Sequence, residues 1–178
     1  MIQRKKEQIK KLERELILNK FQAIDGKHQL VLILDHLKSG FNIGKIIRTA
    51  EAFSLREVHI IGTKFFDPYP AKGAIKRVKL FFYQTLNESL KKLFNEGYEV
   101  FLMDMNAGHF IHERKMVEKT AFIFGNEEVG PILDNVDITK LSKTKIQQFG
   151  LTESLNVSIA ASIASYEYVT QLSKSKIK

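Results

Sequence analysis

The chain has 178 residues, of which 44% are hydrophobic and 27% charged, proportions typical of one globular domain with at most a short appendage. It contains no cysteine, which excludes disulfides, cysteine-ligated zinc, iron–sulfur clusters and thiol nucleophiles. Its longest apolar run is Leu30–Leu34 and no apolar stretch follows the basic N-terminus, so we expect no membrane partner, no secretory signal and a cytoplasmic location.

The 28 Lys and Arg side chains exceed the 20 Asp and Glu side chains, for a formal net charge of +8. Residues 1–80 carry 17 basic and 8 acidic side chains, whereas residues 81–178 carry 11 and 12. This concentration of positive charge indicates a surface that faces a polyanion. A lysine-rich solvated surface explains the same numbers, and charge alone does not separate the two.

The first predicted element is an amphipathic helix over residues 3–24, because apolar residues recur there at spacings near 3.6. Basic side chains crowd its first turns, from Arg4 to Arg14. They form either a solvated face or an RNA-contacting arm. We therefore divide the chain into a basic helical extension, residues 1–28, and a domain, residues 29–178.

Strand-like and helix-like segments alternate through that domain. The run Leu30–Leu34 is continuously apolar, as in strands of a parallel sheet that are covered on both faces. The pattern predicts an α/β domain with a mostly parallel sheet and helices on both faces, and it places ligands beyond the strand ends. The further strands are predicted at residues 58–61, 78–83, 98–103, 120–124 and 145–148, and the further helices at 43–53, 86–94 and 155–172.

Three loops carry candidate chemistry. Residues 39–46 are similar to a phosphate-binding P-loop but do not match its motif. Only three residues separate Gly40 from Gly44, and Ile46 stands where a Ser or Thr should hold magnesium. Residues 124–131 place two glycines around a carboxylate pair, which suits a ligand close to the backbone. The alternative interpretation is an ordinary turn that leads into a short helix, with Asn126 as its cap.

The third loop is Ser154–Ser158, where Ser154 is a candidate helix N-cap and Asn156 brings an amide into an apolar helix. His109 and His112 lack a well-spaced third ligand, so no metal is expected. The pair Asp35 and His36 is interpreted as loop structure rather than as a catalytic pair.

Together, in this order and at strand ends, the three loops resemble the SPOUT superfamily of methyltransferases, and within it the SpoU (TrmH-like) family. The first family motif, Asn-x-Gly followed by Arg, a small residue and Ala, matches Asn42–Ala50. The second, Gly-x-Glu-x-x-Gly, matches Gly125–Gly130, and the third, Ser-Leu-Asn-Val-Ser, matches Ser154–Ser158. Family members usually have Ile-Pro before the cofactor loop, where this chain has Ile146 and Gln147.

The resemblance implies that residues 29–178 form a SPOUT methyltransferase domain with a C-terminal trefoil knot. It also implies a homodimer that completes its active site across the interface. The implied reaction is transfer of a methyl group from S-adenosylmethionine to a ribose 2′-hydroxyl of RNA. Compact members often act on tRNA, so tRNA is the expected substrate; rRNA and a non-catalytic RNA-binding role are the alternatives.

The matched positions imply roles for individual residues. We expect Arg48 to stabilise negative charge on the ribose oxygen rather than to act as a base, because a guanidinium stays protonated. Glu127 is expected to hold Arg48 or a neighbouring donor. The implied catalytic residues are Arg48, Asn42, Glu127 and Asn156; the implied cofactor contacts, largely through backbone, are Met103, Gly125, Ile146, Ser154 and Leu155; the implied RNA contacts are Arg48, Lys72, Lys76 and Arg77.

Overall fold

A computed structural model describes residues 2–175 of the chain. Helices and strands alternate as the sequence predicts, and most of their bounds lie within three residues of the predicted ones. In chain order the elements are α1 (Ile2–Gln22), β1 (His28–Asp35), α2 (Gly40–Ala52), β2 (Leu55–Ile61), β3 (Lys79–Tyr83), α3 (Leu86–Asn95), β4 (Glu99–Met103), β5 (Thr120–Phe124), β6 (Leu141–Thr144) and α4 (Val157–Ser175).

The strands form one parallel sheet in the order β3-β2-β1-β5-β4-β6. Side chains of the central strand β1 alternate between two cores: Leu30 and Leu32 pack with α2 and α4, whereas Val31 and Ile33 pack with α3. Both faces are therefore covered, which explains the unbroken apolar run. The mostly parallel α/β fold with helices on both faces is confirmed, and the trefoil knot stays a prediction.

Helix α1 lies along two short 3₁₀ turns, Tyr69–Ala71 and Ala74–Lys76, which we call the 69–76 turns. Leu12 of α1 is buried in the core on the α2 side of the sheet. Gln8 Nε2 donates a hydrogen bond of 2.9 Å to the carboxylate that precedes the first turn, and Asn19 Nδ2 donates one of 2.5 Å to a carbonyl of the second. The predicted helical extension is thus fixed against the sheet domain at two points.

Two predictions about the C-terminal part of the chain are wrong. The last strand is Leu141–Thr144 rather than residues 145–148, because this edge strand is mostly polar and leaves no apolar pattern to read. The apolar composition of residues 155–172 also predicts a helix buried on most sides, but α4 packs on α2 and the sheet and leaves one side exposed. Ile159, Ile163 and Tyr166 are 49%, 37% and 61% exposed.

Across residues 2–175, no helix combines the length and the apolar composition that crossing a lipid bilayer requires.

Candidate functional site

A cavity of about 810 Å³ opens where β4, β5 and β6 end, which we call the strand-end cavity. Its position is the one expected for ligands of a parallel sheet. The lining comes from four stretches far apart in sequence, within residues 102–106, 124–133, 143–146 and 153–160. All the residues predicted to contact the cofactor line it: Met103, Gly125, Ile146, Ser154 and Leu155.

One wall of the cavity is a tight turn. The backbones of Asn126 and Gly130 exchange two hydrogen bonds, of 3.1 and 2.9 Å, so the chain folds back on itself. A Cβ at Gly125 would lie 2.2 Å from the backbone nitrogen of Pro131, so only glycine fits. The predicted short helix after Asn126 is wrong, because this side chain accepts hydrogen bonds from two N–H groups of the turn and closes it instead.

The same turn is anchored to the end of β1. Asp35 is fully buried, and one of its carboxylate oxygens accepts a hydrogen bond of 2.6 Å from the backbone N–H of Ile132. The other carboxylate oxygen lies 2.8 Å from His36 Nδ1, while the carbonyl of His36 accepts a hydrogen bond from Asn126. This agrees with the interpretation of Asp35 and His36 as loop structure, and it shows that the structure they hold is the cavity wall.

A chain of side chains connects the cavity with α2. Asn42 Nδ2 donates to Glu127 Oε1 across 2.9 Å, and Asn156 Nδ2 approaches Asn42 Oδ1 at 3.4 Å. The other carboxylate oxygen of Glu127 accepts from the backbone N–H of Lys38 at 2.8 Å. Burial opposes ionisation of Glu127, but these hydrogen bonds lower its pKa below the usual value, so the group is a carboxylate at neutral pH.

Asn156 also begins α4. Its Oδ1 accepts hydrogen bonds from the backbone N–H and the hydroxyl of Ser158, at 2.9 and 2.6 Å. The prediction that Ser154 caps this helix is therefore wrong, since Asn156 stands directly before the first helical residue and provides the cap. Ser154 lines the cavity instead.

Arg48 lies on a different side of α2 from Asn42, as six residues of α-helix turn through about 600°. Asn42 is 6% exposed, whereas Arg48 is exposed and its guanidinium makes no hydrogen bond or ion pair within residues 2–175. Of the two predicted partners of Glu127, the structure gives the neighbouring donor, Asn42, and not Arg48. Arg48 lines a separate cavity of about 440 Å³, together with Lys45 and Lys72.

Helix α2, which carries Asn42 and Arg48, packs closely against the segment that precedes the 69–76 turns. A Cβ at Gly44 would lie 2.6 Å from the carbonyl oxygen of Asp67. The glycine of the first motif is therefore required by backbone packing rather than by contact with a phosphate.

The model of the SpoU rRNA methylase family matches residues 29–166, most of the chain. The chain belongs to this family. It is 28% identical over 152 residues to a tRNA (guanosine(18)-2′-O)-methyltransferase of Borreliella burgdorferi, an alignment that covers 83% of this chain and 69% of that protein.

Two solved SpoU structures share the fold. The TrmH/SpoU tRNA modifying enzyme of A. aeolicus superposes with a TM-score of 0.76 at 23% identity, covering 94% of this chain and 85% of that one. The SpoU methyltransferase AviRb from Streptomyces viridochromogenes, in complex with the cofactor AdoMet, superposes with a TM-score of 0.73 at 21% identity, covering 85% and 63%.

Besides Arg48, three positions are predicted to contact RNA in this SpoU protein, and they are not equivalent. Lys72 lies in the Arg48 cavity, and Lys76 lines a groove against α1. Arg77 points to neither, since its Nε donates a hydrogen bond of 2.9 Å to Glu51. The structure thus brings Lys72 to Arg48 and leaves Arg77 in an ion pair.

Sequence reasoning missed one charged pair in the strand-end cavity. Asp104 follows β4 and lies 3.0 Å from Lys143 of β6. Burial opposes its ionisation, but hydrogen bonds from the backbone of Asn106 and from Lys143 lower its pKa. The sequence signal that identifies Asp104 is an acidic residue at the end of a buried strand, and the same signal identifies Asp35. In the described part of the chain, no three His, Asp or Glu side chains are grouped to hold a metal ion.

Proposed function

We propose that this SpoU family protein transfers a methyl group from S-adenosylmethionine to the 2′-hydroxyl of a ribose in RNA. The observation that carries the proposal is the strand-end cavity, which holds all five expected cofactor positions and is joined through Glu127 and Asn156 to the first family motif at Asn42.

The residues present suit S-adenosylmethionine. The cavity volume lies in the range of about 300–1,000 Å³ that small-molecule sites occupy. Gly125, which tolerates no Cβ, lets a ligand approach the backbone of the turn. Met103, Gly125, Ile146, Ser154 and Leu155 are the residues that would hold the cofactor, which supplies an electrophilic methyl group on a sulfonium.

Arg48 stabilises the negative charge that develops on the ribose oxygen and neutralises the adjacent phosphate. It does so as a fixed cation, because its guanidinium does not deprotonate. Asn42 is a positioning residue whose amide is oriented by the Glu127 carboxylate on one side and by Asn156 on the other. Aligning the hydroxyl with the methyl group contributes roughly 7–11 kcal/mol to catalysis.

The active site is completed by a second copy of the chain. Arg48 lies on the exposed side of α2, and the neighbouring exposed side of α4 presents Ile159, Ile163 and Tyr166. Phe53, directly after α2, and Tyr166 have ring centroids 6.2 Å apart, so the two faces are continuous. A twofold interface over this surface brings Arg48 of one protomer to the cavity of its partner and buries the apolar patch.

The RNA substrate is tRNA, in the cytoplasm. The relative from Borreliella burgdorferi, named as a tRNA guanosine methyltransferase, supports this choice. The family description supports rRNA as the alternative. A non-catalytic RNA-binding role is disfavoured by the intact Arg48, Glu127 and Asn156.

The decisive experiment maps 2′-O-methylation by mass spectrometry in tRNA and rRNA from cells with and without the gene. We expect one tRNA ribose methylation to disappear with the gene and to return when purified protein and S-adenosylmethionine are added to the unmethylated RNA. Loss of an rRNA methylation instead would favour the alternative substrate. No change in either RNA, with no binding of S-adenosylmethionine by calorimetry, would favour the binding module.

A further inference from the structure

A cavity of about 520 Å³ lies between α1 and the 69–76 turns, and we call it the α1 groove. Basic side chains dominate its lining, which consists of Lys10, Lys11, Arg14, Lys76, Glu15, Leu18 and Tyr69.

Most of this positive charge is uncompensated. Glu15 is the one acidic residue of the lining, and its carboxylate lies 2.8 Å from Lys11 Nζ. Within residues 2–175 the structure gives Lys10, Arg14 and Lys76 no ion pair and no hydrogen bond through their side chains. Three unpaired cations along one groove repel each other, and a bound polyanion relieves that repulsion.

The groove is formed before any ligand arrives. Gln8 donates a hydrogen bond to Asp67, just before the 69–76 turns, and Asn19 donates to the carbonyls of Ile75 and Val78. Leu12, which lies between Gln8 and Asn19 on α1, is buried. A ligand therefore meets fixed walls, which lowers the entropy that binding costs.

One turn separates the α1 groove from the Arg48 cavity. Tyr69 lines the groove, while Pro70 and Lys72, which follow it in the chain, line the Arg48 cavity with Lys45. Positive charge therefore continues across Tyr69–Ala71 from α1 to the residue assigned to catalysis. The Arg48 cavity contains no acidic lining residue within the described part of the chain.

We propose that the α1 groove and the Arg48 cavity form one phosphate-binding track, which carries the RNA backbone that flanks the methylated nucleotide towards Arg48. The inference rests on the proposed function, since it takes RNA as the ligand. Tyr69, 47% exposed at the junction, provides a ring on which an unpaired base stacks. Residues of α1 thus bind substrate in addition to packing on the domain.

The test measures binding of an unmodified tRNA transcript by fluorescence anisotropy between 50 and 200 mM salt. The track variant combines Lys10→Gln, Arg14→Gln and Lys76→Gln. The matched control removes the same charge from three lysines of other parts of the chain: Lys91, Lys115 and Lys174. Phosphate contacts are sequence-independent, so any tRNA transcript reports them.

We expect the track variant to bind at least about tenfold more weakly at 100 mM salt, and its slope of log affinity against log salt to fall by about 2 to 3. Calorimetry should show unchanged affinity for S-adenosylmethionine, which also shows that the variant is folded. The control should stay within about twofold of the wild type. A track variant that binds like the control would overturn the proposal.

Two further measurements test the stacking role of Tyr69 and a membrane as the ligand. Tyr69→Leu should weaken binding of a single-stranded oligoribonucleotide at least about fivefold and Tyr69→Phe less than twofold, because stacking needs the ring. The membrane is tested with vesicles of anionic phospholipid. If the wild-type protein binds these vesicles, the track variant does not, and both bind tRNA equally well, the surface belongs to a membrane and the track is overturned. If the wild-type protein transfers no methyl group but its RNA binding is still lost in the track variant, the proposed function is overturned and the track is not.

Discussion

Asn42 and Glu127 are 85 residues apart in the chain and share a hydrogen bond of 2.9 Å, from the Asn42 amide to the Glu127 carboxylate. The bond joins the first motif, on α2, to the second, in the turn after β5. Since Asn42 is nearly buried, its amide has few other partners. The two residues should therefore act as one unit.

A double-mutant cycle tests that unit. Asn42→Ala and Glu127→Ala should each slow single-turnover methyl transfer, because each leaves the other side chain without its partner. The double variant should lose little more than the worse single variant, with a coupling energy of about 0.5–3 kcal/mol. Additive losses in transfer rate would contradict a shared role.

Arg48→Lys should slow methyl transfer at least about a hundredfold, because a lysine ammonium lacks the fork that contacts oxygen and phosphate together. Affinity for RNA should change little, as the charge is kept. Rapid-quench measurement of the chemical step and anisotropy with the same RNA separate the two effects. Turnover near that of the wild type would contradict the assigned role.

Mixing two impaired variants tests the shared active site. Arg48→Ala and Glu127→Ala should each lose most of the activity, but dimers that contain one chain of each variant should recover about half of wild-type activity, since each mixed dimer contains one intact site of two. The recovery is measured on purified mixed dimers that carry two affinity tags. Activity that stays at the level of either single variant would show that Arg48 serves the cavity of its own chain.

Gly125→Ala should abolish measurable binding of S-adenosylmethionine in calorimetry and lower the melting temperature, because the added Cβ meets the backbone nitrogen of Pro131 at 2.2 Å. The matched control is Gly150→Ala, where a Cβ would meet no atom within 4 Å. Affinity in the control should be within a few-fold of the wild type. Equal losses in the two variants would show that any added methyl group disturbs these loops.

Glu57 determines part of the acid stability. It is buried and accepts hydrogen bonds from His59 Nε2 at 2.8 Å and Lys92 Nζ at 2.7 Å. Burial alone would raise the pKa of Glu57, but these donors lower it from 4.5 to about 2. A folded-state pKa below the unfolded value means that ionised Glu57 stabilises the fold above pH 4.5, and that this stability is lost as pH falls towards 2.

The contribution of ionised Glu57 to the free energy of unfolding is at most about 3 kcal/mol. Glu57→Gln should therefore lower the melting temperature at pH 7 and flatten its decline between pH 4.5 and 2. Differential scanning calorimetry across this range measures both. A variant with the decline of the wild type would show that other carboxylates carry the acid dependence.

The sequence predicts the elements whose apolar pattern is strong. A strand buried on both faces, such as β1, has a continuous run of apolar residues. A helix buried along one side, such as α2 or α3, has apolar residues at spacings near 3.6. The strand β6 leaves none: it lies at the sheet edge, and its residues are mostly polar.

The candidate site was predictable as a set of motifs but not as a geometry. Motif residues at strand ends pointed to one edge of a parallel sheet, and the cavity lies there. Spacing along the chain could not tell that Glu127 faces Asn42 rather than Arg48, since that depends on which side of α2 packs on the sheet. The hydrogen bond from the backbone N–H of Lys38 to Glu127 could not be predicted either, because its donor is not a side chain.

The central place of β1 also governs how the chain folds as it is synthesised. One side of β1 pairs with β2, made soon afterwards, but the other pairs with β5, which begins about 85 residues after β1 ends. At about 5–20 residues per second, a ribosome leaves that apolar edge open for roughly 4–17 s. During this time the unpaired edge of β1 can pair with other exposed strands, so the nascent chain is open to misassembly until β5 emerges.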